Sequence, residues 1–299
     1  MNSADTLRVW VSTHPDDNIF HIFALEVHGL WSAMRRDPHR RHAIVLPDDD
    51  DERPGRRWRR AVMAALAPVY RDAGELPDGP RRLTQHRFED WIVDPWRFRN
   101  DPVSGALKAL EARLRLAFGV SGHAGSEVVM IARTADRVLH DAVTGEPLET
   151  TIAAWCAARG LPFRCVRPET LPVAAQVEAM SRARVLIACH GAGLTNLVFA
   201  PDDCAIVEVS FRTHWYCDPV CDDHFHGRLS PQTKCGGRLT FARKFHKADY
   251  HNLARISGRR HVELPLHRVE GYLGRNPIAV RRVDVDPHRL REALDRALA

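Results

Sequence analysis

The sequence predicts an α/β protein in two domains, the second of them a parallel sheet covered by helices. Three observations support this. Between residues 127 and 209 short buried strands alternate with helical segments over brief connections, which is the pattern of a parallel sheet; right-handed crossovers make that half Rossmann-like. Residues 119–126, GVSGHAGS, set three glycines and two serines between periodic segments and mark the domain boundary. Before that boundary the chain opens with strand and helix patterns of its own.

In order, residues 7–12 read as a strand, and residues 19–36 as an amphipathic helix carrying Ile22, Leu25, Leu30 and Met34. Residues 42–47, HAIVLP, read as a second buried strand. The stretch DDDDERPGRRWRR contains Pro54-Gly55 and reads as a loop. A helix is expected over 59–70, a strand over 83–93, and a helix over 104–118 capped by Ser104. The second half then gives a strand (127–133), helix (148–159), strand (162–166), helix (172–182), strand (184–189), a helix opening near Leu194, and a strand (205–209). From 210 to about 247 the pattern dissolves into a His-, Cys- and Arg-rich segment, and a segment so long within a compact domain is usually functional. Helical spacing resumes at 249–256, a strand at 261–264, and Asp286-Pro287 opens the last helix, Asp as cap and Pro in the first turn. The domains are expected at 1–122 and 123–275, with 276–299 forming a C-terminal helix that packs back on the first.

The 299 residues are long enough for a large core, and 44% hydrophobic with 27% charged is ordinary globular composition. No stretch approaches the roughly 20 apolar residues of a membrane helix, and the N-terminus lacks the layout of a signal peptide. A soluble, cytoplasmic or intracellular chain is expected, or a secretory-pathway one if a targeting segment is missing. The net charge of +5 includes clusters such as Arg56-Arg57-Trp58-Arg59-Arg60, but the acid run Asp48–Asp51 adjoins them. Mixed charge of this kind reads as solvated surface, so no nucleic-acid partner is expected. Seven cysteines without a secretory signal argue against a disulfide framework; Cys156, Cys165, Cys189 and Cys204 read as buried thiols.

The chemistry concentrates in RVLIACHGAGLTNLVFAPDDCAIVEV, residues 184–209. A hydrophobic strand runs into Gly191-Ala192-Gly193, then a helix, then another strand. Glycines at such a turn let a ligand approach the backbone, and the helix N-terminus offers N–H groups to a phosphate; Thr195 and Asn196 add donors. Asn196 stands where a third glycine would complete a dinucleotide fingerprint, which disfavours an oxidoreductase. A separate cluster, His214, Cys217, Cys221, His224, His226 and Cys235, holds zinc-ligand residue types at irregular spacing. Zinc, a disulfide and a loop of free side chains all remain open there, and the expected metal count of the site is none.

The block HGAGLTNLVFAPDDCAIVEV resembles the signature of the family 61 glycosyltransferases, which include plant xylan arabinosyl- and xylosyltransferases and animal O-linked N-acetylglucosaminyltransferases. His190, Gly191, Ala192, Gly193, Leu194, Thr195, Asn196, Pro201 and Glu208 match it. Upstream, IARTADRVL sets Arg133 and Arg137 where the family has two arginines after a strand, and DDNIFHIFALEVHGLW sets His21 and Glu26 on its histidine and acid. Downstream, ADYHNLARISGRRHVELP is similar to the helix and strand closing the donor domain. The segment from about 53 to 125 has no counterpart.

The resemblance implies two Rossmann-like domains facing a cleft (the GT-B type), the N-terminal one reduced. It implies inverting, metal-independent transfer of a hexose or pentose from a nucleotide diphosphate donor, a UDP-sugar by resemblance, to a hydroxyl of a glycan or protein, with no cofactor. Arg133 and Arg137 would neutralise the diphosphate, the turn after His190 would hold it, and Glu208 would accept from ribose hydroxyls. Glu26 first and His21 second are expected to take the acceptor's proton, with His14 a third candidate. Two rivals are a catalytically degenerate binding or scaffold protein of this fold and a basic nucleic-acid-binding protein.

Overall fold

The computed structural model describes residues 6–11, 18–46, 53–70, 81–83, 103–120, 124–210, 234–235, 238–239, 250–251, 253–254, 256–265 and 281–299. The described residues divide into two compact units, those up to residue 120 forming one and those from residue 124 onward the other. Among the described residues no helix is long and apolar enough to cross a membrane.

The first unit is built on a parallel sheet of β1 (Thr6–Trp10), β2 (Arg41–Val45), β3 (Val69–Tyr70) and β4 (Arg81–Leu83), in the order β3-β2-β1-β4. Between β1 and β2 runs helix α1, an α-helical turn Ile19–His21, a π-helical stretch Ile22–Val27 and an α-helix His28–Arg36 in succession. Asn18 caps it, its side chain accepting from the Phe20 N–H at 2.9 Å. Helix α2 (Pro54–Ala64) packs on the π-helical stretch, with Phe23 edge-on to Trp58. A further helix, α3 (Val103–Ala117), completes the unit's helices among the described residues.

Two sequence expectations fail here for identifiable reasons. Pro54-Gly55 was expected in a loop, yet the proline occupies the first turn of α2, where its missing N–H costs nothing. The helix expected as far as Tyr70 stops at Ala64, and Val69–Tyr70 joins the sheet instead.

Within this unit Glu26 and Arg59 form an ion pair at 2.6 Å, both side chains fully buried. Five arginines and a tryptophan in one polar run gave no hint that one guanidinium would be internal. Removing a single partner from such a pair strands the other charge. Glu26→Gln, which keeps an acceptor but loses the charge, is expected to destabilise the protein by about 2 kcal/mol, read as a lowered midpoint in urea unfolding.

The second unit centres on a five-stranded parallel sheet: β5 (Glu127–Ile131), β7 (Phe163–Val166), β8 (Ala183–Cys189), β9 (Ala205–Ser210) and β12 (Arg260–Pro265), in the order β12-β9-β8-β5-β7. In chain order within this unit that is 2-1-3-4-5, a doubly wound arrangement whose direction reverses between β5 and β8. Helices α4 (Leu148–Ala157) and α5 (Val173–Ser181) lie within the crossovers. One face packs Val128, Met130, Val185, Ile187, Val207 and Leu264 with Leu148, Ile152, Leu290 and Leu294 into one core. Alternation turns the intervening residues, Ile206 and Glu208 among them, to the opposite face.

Entry into this sheet depends on Gly125. A Cβ there would lie 2.1 Å from the Ala183 carbonyl oxygen, and the next two N–H groups, of Ser126 and Glu127, both donate to Arg182 O at 2.9 Å. The last glycine of GVSGHAGS is therefore a close-approach residue as well as part of a boundary.

A two-stranded parallel ladder of β6 (Val138–Asp141) and β13 (Arg282–Val285) escaped sequence reading. Its strands are short and lie far apart in the chain. Two more short strands, β10 (Lys234–Cys235) and β11 (Arg238–Leu239), pair with each other. The final helix α6 (Pro287–Leu298) begins as its Asp-Pro opening predicts, Asp286 accepting from the His288 N–H at 2.8 Å. It lies on β12, β9 and β8 of its own unit, burying Leu290, Ala293, Leu294 and Ala297.

Candidate functional site

In doubly wound sheets ligands bind outside the carboxyl ends of the strands where the order reverses. Here that point lies between the ends of β5 and β8. The residues following β5 include Arg133 and Arg137; those following β8 begin with His190 and Gly191. The sheet thus brings together two segments more than fifty positions apart in sequence.

The two arginines are joined by Asp136, which the sequence reading passed over. Arg133 donates from Nε and Nη2 to Asp136 Oδ1, at 3.0 and 2.7 Å. Arg137 donates from Nε and Nη2 to Oδ2, at 3.2 and 3.1 Å. Burial works against the Asp136 charge, but the guanidiniums outweigh it and hold the carboxyl below its ordinary value. Two cations bridged by one anion leave one net positive charge.

The arginines are not equivalent. Arg137 is nearly buried and sends Nη1 to the His190 carbonyl oxygen at 2.7 Å, tying the end of β5 to the end of β8. Its backbone takes φ 54°, a left-handed conformation that costs a non-glycine residue about 1–2 kcal/mol. Arg133 is more open, 28% exposed in its side chain, and its Nη1 makes no hydrogen bond among the described residues. Arg137 is therefore the anchor and Arg133 the cation offered outward.

Gly191 lets both approach. Its φ of 148° lies in a region that side-chain-bearing residues avoid, and a Cβ there would sit 2.6 Å from Arg137 Nη1 and 3.3 Å from Arg133 Nη1. The helix expected near Leu194 is a tight 3-10 helix from Ala192 to Phe199. Ala192 and Gly193 are half-buried, while Leu194, Thr195 and Asn196 are buried. Thr195 Oγ1 is enclosed with no hydrogen-bond partner among the described residues.

Behind the turn, His190 hydrogen-bonds through Nδ1 to Glu208 Oε1. The other oxygen, Oε2, meets His261 Nε2 at 2.7 Å, and His261 Nδ1 lies 3.3 Å from His251 Nδ1. The Tyr250 ring stands edge-on to His190, centroids 5.2 Å apart. Glu208 is fully buried; burial opposes its charge, yet His190 and His261 bring its pKa down to about 2. Expected to accept from ribose hydroxyls, this carboxylate instead has both oxygens engaged by histidines and is 1% exposed.

Of the residues expected to take a proton, Glu26 is sealed inside the first unit against Arg59. That enclosure and the ion pair weigh against its expected role as base. His21 is half-buried beside Phe20. His14 lies outside the described residues, as do His214, Cys217, Cys221, His224 and His226; Cys235 lies in β10. The remaining cysteines are free thiols. Burial pushes Cys156 and Cys165 up to about 11 and Cys189 and Cys204 up to about 12, so none is a thiolate nucleophile at neutral pH.

Sequence reasoning missed Asp136, Tyr250, His251 and His261. A signal existed for His261: it is a polar residue in a buried strand, in register with Ile206 and two positions before Glu263, which pairs with Glu208.

The Glycosyltransferase 61 family profile matches residues 19–207. That span takes in His21, Glu26, both arginines and the whole turn from His190 to Asn196, and ends one residue short of Glu208. No curated protein sequence matches the chain significantly. With the family profile extending over more than half of its length, and with the paired arginines and the glycine turn meeting where the sheet reverses, the chain belongs to the glycosyltransferase 61 family and is a glycosyltransferase.

Proposed function

We propose that the protein is an inverting, metal-independent transferase that moves a sugar from a nucleotide diphosphate, a UDP-sugar, to a hydroxyl of a glycan or protein. One observation supports the donor assignment above others: two guanidinium groups packed on Gly191 at the reversal point of the sheet. A guanidinium stays charged at any working pH and matches phosphate oxygens in geometry.

In the proposed reaction the acceptor oxygen bonds to the sugar's anomeric carbon from the face opposite the diphosphate. The bond from that carbon to the diphosphate oxygen breaks, and its electron pair leaves with the diphosphate. Arg133, through the amino group it offers outward, and the backbone of the Gly191-Ala192-Gly193 turn would stabilise the charge that develops there. Arg137 would hold the turn in place. Of the two residues proposed to take the acceptor's proton, His21 keeps that proposal, while Glu26 does not.

A second reading, a family member that binds nucleotide without transferring sugar, is favoured by the enclosure of Glu26 with Arg59. The two part on turnover, measured as release of nucleoside diphosphate in the presence of EDTA across glycan acceptors.

The first test is thermal unfolding with a panel of nucleoside diphosphates and nucleotide sugars. A ligand at a hundredfold excess over its Kd stabilises the folded state by about 2.7 kcal/mol. UDP and UDP-sugars are expected to raise the midpoint, and Arg133→Ala is expected to remove the shift while leaving the ligand-free midpoint nearly unchanged. A panel without any shift, or a shift that survives Arg133→Ala, would refute the donor site described here.

A further inference from the structure

The glycine turn is tied down at its near end by Arg137, through the His190 carbonyl. At the far end of the helix it opens stands another arginine. The 3-10 helix Ala192–Phe199 runs eight residues. The Leu194 N–H donates to Gly191 O at 2.9 Å at its start, and the Ala200 N–H to Leu197 O at 3.0 Å at its finish. Runs of this winding much beyond about four residues are uncommon, because their hydrogen bonds are poorly aligned. Contacts outside the helix must keep this one drawn out.

Arg259 supplies such a contact. Gly258, at φ 81°, turns the chain from helical residues ending at Ile256 into β12, and the Arg259 N–H donates to Ala254 O at 2.8 Å. The Arg259 side chain is 0% exposed. It reaches the two residues just past the 3-10 helix, donating from Nη2 to Ala200 O at 2.6 Å and from Nε to Pro201 O at 3.0 Å. The Asp202 carboxylate stands 3.8 Å from Nη2. Carbonyls at the C-terminal end of a helix carry partial negative charge, which a cation offsets. A planar fork suits two successive carbonyls as a single ammonium does not.

We propose that Arg259 is a positioning residue for the donor site: by clamping Ala200 and Pro201 it holds the helix in its 3-10 winding and so sets the place of the Gly191-Ala192-Gly193 backbone. This rests on the donor-site reading above, and Arg259 lies beyond the span the family profile matches. Helix length is the lever. Eight residues rising roughly 2.0 Å each are about 4 Å longer than the same residues at about 1.5 Å each in an α-helix. The start is fixed to the sheet, the His190 N–H donating to Val209 O at 2.8 Å. Arg259 fixes the finish. Releasing that end lets the helix rewind, and rewinding redirects the N–H groups at its start.

The test pairs a ligand readout with a ligand-free one, both on the full chain. Dissociation constants for UDP are measured by calorimetry for the wild type, Arg259→Ala and Arg259→Lys. Asp286→Ala, which removes the cap of α6 in the same unit, is the control for lost stability. Amide proton–nitrogen spectra of the unliganded proteins follow Ala192, Gly193 and Leu194. Arg259→Ala should bind UDP about tenfold more weakly and shift those three amides. Added guanidinium ion, which can refill the vacated site, should restore both. Arg259→Lys should change in the same direction by less. Asp286→Ala should lower the unfolding midpoint and leave UDP affinity and the three amides as they are.

Wild-type affinity in folded Arg259→Ala, with only the midpoint lowered, would make Arg259 a stability residue and overturn the proposal; unmoved amides would overturn it equally. Should Arg259→Ala fail to fold, Arg259→Lys decides by the same two readouts. A wild type that binds no UDP refutes the donor-site reading alone. Shifted amides in Arg259→Ala would then still support the clamp, and unmoved ones would overturn it.

Discussion

Gly191→Ala is expected to weaken nucleoside diphosphate binding by a hundredfold or more while the protein still folds. The added methyl would stand 2.6 Å from Arg137 Nη1 and 3.3 Å from Arg133 Nη1. Both neighbours are ends of long side chains and can swing away. Doing so breaks the Arg137 bond to the His190 carbonyl and moves Arg133 off the phosphate position. Losing charge-assisted, bidentate contacts of this kind costs about 2–3 kcal/mol of binding, a hundredfold or slightly less for one arginine alone. The backbone adds its own cost, because φ of 148° at Gly191 suits glycine only, at about 1–3 kcal/mol of stability. Gly125→Ala is the contrasting control. There the methyl meets backbone, Ala183 O at 2.1 Å, and nothing can swing aside without separating β5 from β8. Gly125→Ala should therefore fail to fold, whereas Gly191→Ala should keep a cooperative transition and lose the UDP-induced shift. Retention of that shift in Gly191→Ala would mean the arginines are not held by the turn as described.

What could be read from the sequence follows what is local. The strands of the second sheet are runs such as VLIA and AIVEV whose burial leaves little alternative, and the Asp286-Pro287 pair announces its helix because a cap acts within three residues. The arginines and the glycine turn were legible as types. Their meeting was not, since it depends on β8 pairing with β5 across the α4 and α5 crossovers.

Relationships between charges were the least legible part. Arg59 lies among arginines that look like solvated surface, and only the packing of α2 on the π-helical stretch of α1 turns it inward to Glu26. Glu208 presented the opposite problem: its place at the end of a strand fits a ribose acceptor, but His261 arrives beside it from the adjacent strand β12 and takes one of its oxygens. A residue's type and position along a strand fix its face; which charge lies opposite is decided by a neighbour more than fifty positions away.

That neighbour gives Glu208 a measurable acid signature. Its ordinary pKa of 4.5 falls to about 2 in the folded chain, burial opposing the charge and the two histidines more than offsetting it. A carboxyl depressed on folding stabilises the native state fully above its unfolded pKa, and that contribution is lost as pH falls through the folded value. The window is therefore about pH 4.5 down to about 2, and the span corresponds to about 3 kcal/mol. Glu208→Gln cannot titrate. Urea unfolding of both proteins should show the wild type ahead at pH 5 and its advantage shrinking steadily toward pH 2, because protonation makes its carboxyl resemble the amide. Other carboxyls titrate alike in both proteins and cancel in the difference. An advantage that stays constant from pH 5 to pH 2 would mean that the Glu208 carboxyl has the same pKa in the folded and unfolded chain, and that the two histidines do not hold its charge as described.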